Sequence, residues 1–196
     1  TTSINLAAGL QQKKKKVMVI DLDGQANLTE SFGYSIEEPQ TIYGAMKGEY
    51  PLPVLKTESG LSLVPSCLDL SAAESELINE PGREMILRGL LAKYEGTSKY
   101  DYVIIDCPPS LGVLTTNALT AADSVIIPVQ CEFFALEGIM QLLNTIMMAQ
   151  KTLNPTLDIE GVLLTMLDGR TNLGLEVVEE IKSYFKERVY DTIIPR

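Results

Sequence analysis

The sequence predicts an α/β chain with helices on both faces of a mostly parallel sheet, in three layers. Three observations carry this. Uninterrupted apolar runs at residues 17–20 (VMVI) and 102–105 (YVII) read as strands covered on both faces. Each run ends in an aspartate, Asp21 or Asp106, and leads through a small-residue turn into a helical pattern. Such runs alternate with amphipathic stretches along all 196 residues, with no internal repeat or low-complexity tract, so one domain over residues 1–196 is expected.

The elements follow in order. Residues 1–12 read as a helix, with Ile4, Leu6, Ala7, Ala8 and Leu10 on its apolar face. Lysines 13–16 suit its C-terminal end; the run also tempts a nucleic-acid reading, but the next strand begins at once. Residues 27–34 continue as a short helix, and 36–50 as a polar connection with a helical turn, punctuated by Pro51 and Pro53. Residues 61–65 form a short strand. Helices at 68–78 and 83–94 flank the turn Asn79-Glu80-Pro81-Gly82, and Ser71 with Glu74 fits a capping box. After the Asp106 loop come a helix at 114–122, a strand at 124–129 and a long helix to Lys151. Met140, Met147 and Met148 in that helix read as core or dimer-face packing, and Phe133 and Phe134 before it as buried. A strand at 159–167, an amphipathic helix at 173–189 and the opening of a last strand at 193–196 complete the pattern.

Composition excludes several classes. There is no histidine, so imidazole bases and His-ligated metals are out. Three widely spaced cysteines (Cys67, Cys107, Cys131) form neither a zinc pattern nor a disulfide framework, which points to a reducing compartment. No run of about 18 apolar residues is present. With 26 acidic and 16 basic residues the formal charge is −10, which argues mildly against nucleic acid and confines any such contact to a local basic patch.

Open α/β sheets place ligands at the carboxyl ends of their strands. An apolar strand delivering Asp106 to a loop is how P-loop nucleotidases hold Mg²⁺ through water. A lone strand-end aspartate also serves to cap the next helix. The second acidic strand end, Asp21-Leu22-Asp23, favours a nucleotide–metal site, because gathered like charges are tolerated when a cation or phosphate-bound water lies among them. No G-x-G-x-x-G follows a strand, against an NAD-type dehydrogenase.

Six stretches, TTSINLAAGL, VMVIDLDGQAN, YVIIDCPPSLG, PVQCEFFALEG, LLTMLDGRTNLG and the terminal IIPR, resemble in order the ParA/MinD group of deviant P-loop ATPases, most of all its Soj-type ParA partition branch. One departure is Gly24-Gln25-Ala26 where Pro-Gln-Gly is usual, a change of loop stiffness. The resemblance implies a three-layer P-loop NTPase-like fold and an ATPase using ATP and Mg²⁺. It further implies a homodimer around two nucleotides that binds non-specific DNA, responds to a ParB-type partner, and works in the bacterial cytoplasm on the nucleoid rather than at a membrane. By the same resemblance Asp23 orients the attacking water, Asp21 and Asp106 bind Mg²⁺ through its waters, and Thr1 and Thr2 reach the α-phosphate side. Met166, Asp168, Pro195 and Arg196 are implied near the base, Arg170 on DNA, and Pro108, Pro109 and Glu137 at the dimer or switch face. The family's KGGVGKT loop and its strand would precede Thr1, and a further segment would follow Arg196. The chain is thus expected to be trimmed at both ends and inactive by itself. Two alternatives stand: a MinD-like membrane-associated regulator, and a non-catalytic ATP-switched adaptor. A redox-cluster relative would need two suitably placed cysteines, for which Cys107 and Cys131 are the candidates.

Overall fold

The computed structural model describes residues 1–132 and 135–196, with the side chains of residues 135–137 and Asn172 outside the description. Two compact units emerge, Thr1–Ala121 and Ala122–Arg196.

The first unit is built on a sheet of order β2-β3-β1-β4. Its strands are β1 (Val17–Asp21), β2 (Leu55–Lys56), β3 (Ser62–Val64) and β4 (Tyr102–Asp106). β1 runs parallel to both β3 and β4, while β2 adds antiparallel at the edge. Period-two alternation divides the apolar side chains between two cores. Val17 and Val19 of β1, Leu63 of β3 and Ile104 of β4 face one cluster, with Ala7 of α1 (Thr2–Gln12) and Leu28 of α2 (Asn27–Ser31). Met18, Ile20, Val64, Val103 and Ile105 face the other. That second core is closed by α3 (Ile42–Met46), α4 (Leu70–Glu76), α5 (Ile86–Lys93) and α6 (Val113–Ala121). Helices therefore cover both faces of a mostly parallel sheet, as the sequence predicts.

Three local expectations change. β1 is fully buried, but β4 is half-buried and Tyr102 is 46% exposed, because β4 pairs only with β1 among the described residues and lies at the sheet's edge. The 36–50 stretch is not merely a polar connection. Ile42, Gly44, Ala45 and Met46 are buried, and Tyr50 lies over Gly44 with its hydroxyl accepting the Thr41 amide at 3.0 Å. Ser71 is not a helix cap: α4 begins after Asp69, no side chain caps it, and Ser71 and Glu74 have other neighbours.

The second unit pairs β5 (Ser124–Gln130) with β6 (Asp158–Thr165) in parallel, joined through α7 (Ala135–Thr152) and followed by α8 (Asn172–Phe185). Thr171 caps α8, its hydroxyl accepting the Gly174 amide at 3.3 Å. Buried residues include Ile127 and Val129 of β5, Ile139, Leu143 and Ile146 of α7, and Val178 and Ile181 of α8. Met140, Met147 and Met148 are 45%, 55% and 64% exposed, so they do not belong to the core. Residues 193–196 contribute an isolated bridge, Leu167 to Pro195, rather than a strand. Phe133 and Phe134 lie outside the described residues. Among those described, no helix is long and apolar enough to cross a membrane.

Candidate functional site

The alternation that buries Val17 and Val19 carries Asp21 to the same face, and the one that buries Ile104 carries Asp106 there. The two are register partners at the ends of β1 and β4. Asp21 is fully buried. Its Oδ2 accepts the Thr29 hydroxyl at 2.6 Å and the Thr29 amide at 2.8 Å, and its Oδ1 the Asp23 amide at 3.2 Å. Thr29 Oγ1 in turn accepts the Ser66 amide at 2.9 Å. Burial pushes the Asp21 carboxyl above its ordinary range; the Thr29 hydroxyl and amide and the Asp23 amide pull it back, and the Asp106 charge raises it. Asp106 is half-buried, and its Oδ1 accepts the Ser3 hydroxyl from α1 at 2.6 Å.

Asp23 stands half-buried in the turn after β1. Its Oδ1 accepts the Gln25 amide at 3.0 Å, and its carbonyl accepts the Ala26 amide at 2.9 Å and the Ser66 hydroxyl at 2.7 Å. Thr1 flanks α1 without a side-chain cap, and Thr2 is the first helical residue. The first-turn amides of a helix have no intrahelical acceptor and, with the helix dipole, attract anions. Thr1, Ile4, Asn27, Leu28 and Asp106 line an open cleft of about 590 Å³ here. Asp21 sits behind it, clamped by α2. The first unit thus brings Thr1, Thr2, Asp21, Asp23 and Asp106 to one sheet end, and Pro108 and Pro109 follow in the loop after β4.

The second unit gathers another set. After β6 the chain turns at Met166, whose φ is +56°. Leu167 donates its amide to the Ile194 carbonyl at 3.2 Å and accepts that of Arg196 at 3.2 Å, which brings Met166–Asp168 beside Pro195 and Arg196. The Asp168 carboxylate holds Arg170 through Nε at 2.8 Å and Nη2 at 2.7 Å. These bonds and the Arg170 amide hold the Asp168 carboxyl below its usual range. The Arg170 side chain is nonetheless 89% exposed. Arg196 lies 3.6 Å from Glu132. The side chain of Glu137 lies outside the described residues.

The residues fit a magnesium ion held through water. Asp21's oxygens are already engaged by protein donors, which suits an outer-sphere role. A cation beside the Asp21–Asp106 pair would offset both the burial cost and their repulsion.

Residues 1–159 match the family described as an AAA domain. The sporulation initiation inhibitor protein Soj of Bacillus subtilis is 50% identical over 200 aligned positions, which span 100% of this chain and 78% of that protein. The chain belongs to the Soj/ParA family of chromosome-partitioning ATPases. The Myxococcus xanthus chromosome partitioning protein ParA is 46% identical over 100% of this chain and 70% of its own length. Among solved structures, cobyrinic acid a,c-diamide synthase from Mycobacterium smegmatis with bound ATP analog and magnesium is 39% identical, with a TM-score of 0.92 over 100% of this chain and 80% of that one. A plasmid partition protein from Borrelia burgdorferi is 29% identical, with a TM-score of 0.83 over 100% of this chain and 83% of that one.

For this Soj/ParA member, sequence reasoning missed three side chains that orient the acidic loops: Ser3, Thr29 and Ser66. Only Thr29 left a trace, as a hydroxyl residue on the helix that follows the Asp21–Asp23 turn. Ser3 is paired with a residue 103 positions away, and no local pattern announces that.

Proposed function

We propose that the complete protein is a partition ATPase that forms an ATP-dependent homodimer, binds non-specific DNA in that state, and is stimulated by a ParB-type partner. The observation that carries the reading is the Asp21–Asp106 pair at adjacent strand ends, facing the N-terminal turn of α1, in a chain of the Soj/ParA family. In this reading the protein acts in the cytoplasm, on the nucleoid.

In this reading Asp21 and Asp106 hold Mg²⁺ through its waters, and the first turn of α1, with Thr1 and Thr2, receives the α-phosphate side. Bound magnesium would neutralise charge developing on the phosphate oxygens. Asp23 orients the attacking water; its Oδ1 is anchored by the Gln25 amide at 3.0 Å, which fixes the direction of the remaining oxygen. Lacking histidine, the chain relies on positioning and electrostatics, which suffice for phosphoryl transfer. Met166, Asp168, Pro195 and Arg196 are assigned to the base, and Pro108, Pro109 and Glu137 to the dimer or switch face. Arg170, almost fully exposed, contacts DNA; its pairing with Asp168 orients the guanidinium but leaves it accessible.

The test is retention of the full native chain on non-specific DNA with ATP, with ADP and without nucleotide, at two salt concentrations, beside Arg170→Glu. Retention with ATP alone, weakened by salt and lost in the variant, is expected. No retention in any condition, with binding to anionic liposomes instead, would turn the reading to a membrane-associated regulator. Retention without ATP hydrolysis on adding the partner would turn it to an adaptor.

A further inference from the structure

Helix α4 touches both acidic loops. On the β1 side, a Cβ placed on Gly24 would lie 2.2 Å from Ser71 Oγ and 2.8 Å from the Ser71 backbone nitrogen. Any side chain there would force the loop and the helix apart. On the β4 side, Glu74 Oε1 accepts the Ser110 hydroxyl at 3.2 Å, and a Cβ on Gly112 would lie 2.1 Å from the same oxygen. Ser71 and Glu74 are three residues apart, hence neighbours on one helix face. The adjoining face is fixed: Leu70 and Ala73 are fully buried in the core shared with Met18 and Ile20. Just ahead of α4, the Ser66 hydroxyl holds the Asp23 carbonyl at 2.7 Å and its amide holds Thr29 at 2.9 Å.

We infer that α4 is a positioning element that keeps the Asp21–Asp23 and Asp106 loops in register, with Glu74 latching the loop of Pro108 and Pro109 onto it. The consequence for catalysis rests on the partition-ATPase reading; the latch itself does not. The two loops begin on neighbouring strands, but past the strand ends no backbone ladder joins residues 107–112 to residues 23–26. A single rigid helix seated against both supplies the missing connection. The Glu74 contact is a single partly exposed hydrogen bond, so it can release and re-form at small cost when the loop moves.

The test uses the full native chain with Glu74→Ala, Ser110→Ala, the double variant and Glu74→Gln. Backbone order parameters of residues 110–112 and ATP turnover are measured beside thermal midpoints. With the latch intact these amides resemble rigid backbone at about 0.85, and release should lower them toward 0.6 or less. Both single variants should show this at an unchanged midpoint, with kcat reduced about two- to tenfold and KM for ATP less affected. The double variant should go no further than either single, and Glu74→Gln, whose amide oxygen still accepts the Ser110 hydroxyl, should restore wild-type values. Order parameters unmoved in Glu74→Ala, additive effects in the double variant, or unchanged kcat alongside a loosened loop would each overturn the assignment. If the loop responds as described in a protein that hydrolyses no ATP, the latch stands and the ATPase reading falls.

Discussion

Replacing Thr29 by valine preserves shape and removes one hydroxyl with two roles. That hydroxyl donates to Asp21 Oδ2 at 2.6 Å and accepts the Ser66 amide at 2.9 Å, at a residue with no solvent exposure. A hydrogen bond to a charged group contributes about 1.5–3 kcal/mol, and an orphaned buried amide costs about 1–3 kcal/mol. The Thr29 amide still reaches Asp21 at 2.8 Å, so part of the carboxylate's solvation survives. The expected loss is on the order of 3 kcal/mol. In a domain of this size it lowers the thermal midpoint by roughly 6–12 °C, read by calorimetry at neutral pH. Thr29→Ser is the control: it keeps the hydroxyl and loses one buried methyl, about 1 kcal/mol. A valine variant melting within about 2 °C of the parent, or no lower than the serine variant, would refute the claim that this hydroxyl supports the buried carboxylate.

Three further outcomes are expected. Asp21 has a folded pKa above its ordinary 3.8, so the folded chain binds that proton more tightly than the unfolded chain. Its contribution to stability is fully present below about pH 4 and is lost as pH rises through the raised value. The stability of the parent relative to Asp21→Asn, from urea midpoints, should therefore decline as pH rises between 4 and 8; a flat difference would show that ionisation carries no penalty. Asn117 is fully buried, its Oδ1 accepting the Leu87 amide at 3.0 Å and its Nδ2 donating to the Arg83 carbonyl at 2.7 Å. Asn117→Ala orphans both groups at the start of α5 and should cost about 2–4 kcal/mol, seen as a lowered urea midpoint at constant m-value. In the full native chain, Asp23→Ala should cut ATP turnover by about a hundredfold or more and leave an ATP-loaded dimer that persists in size-exclusion chromatography. Normal turnover would remove Asp23 from the role of water-positioning residue.

What could be read from the sequence alone depended on short-range regularity. The runs at 17–20 and 102–105, their terminal aspartates, and the strand–helix alternation are local patterns, and a residue's place in a period-two strand decides its face. That is why the sheet, its two faces and the arrival of Asp21 and Asp106 at strand ends are legible in the sequence. Helix ends were blurred by a few residues, since fraying into 3₁₀ turns, as at Leu77–Asn79 and Lys186–Arg188, leaves little sequence trace. β2 escaped because a two-residue antiparallel edge strand has no periodicity to detect.

Tertiary structure decided the rest. Ser71 and Glu74 carry the spacing of a capping box, yet Glu74 reaches 36 positions along the chain to Ser110, because the loop after β4 offers a donor where α4 passes. The methionines of α7 have core-like spacing, but spacing alone does not say what covers a helix face. Arg170 enters the sequence reading only as a residue implied on DNA, and its bidentate partner two residues back appears only once the turn after Met166 is folded. Which chemical groups arrive at the strand ends follows from local order along the chain, because backbone alternation is a local rule. How Asp21 is buried, clamped by Thr29 and braced through Ser66 was decided only by packing, because burial and hydrogen-bond partnership are properties of distant segments brought together.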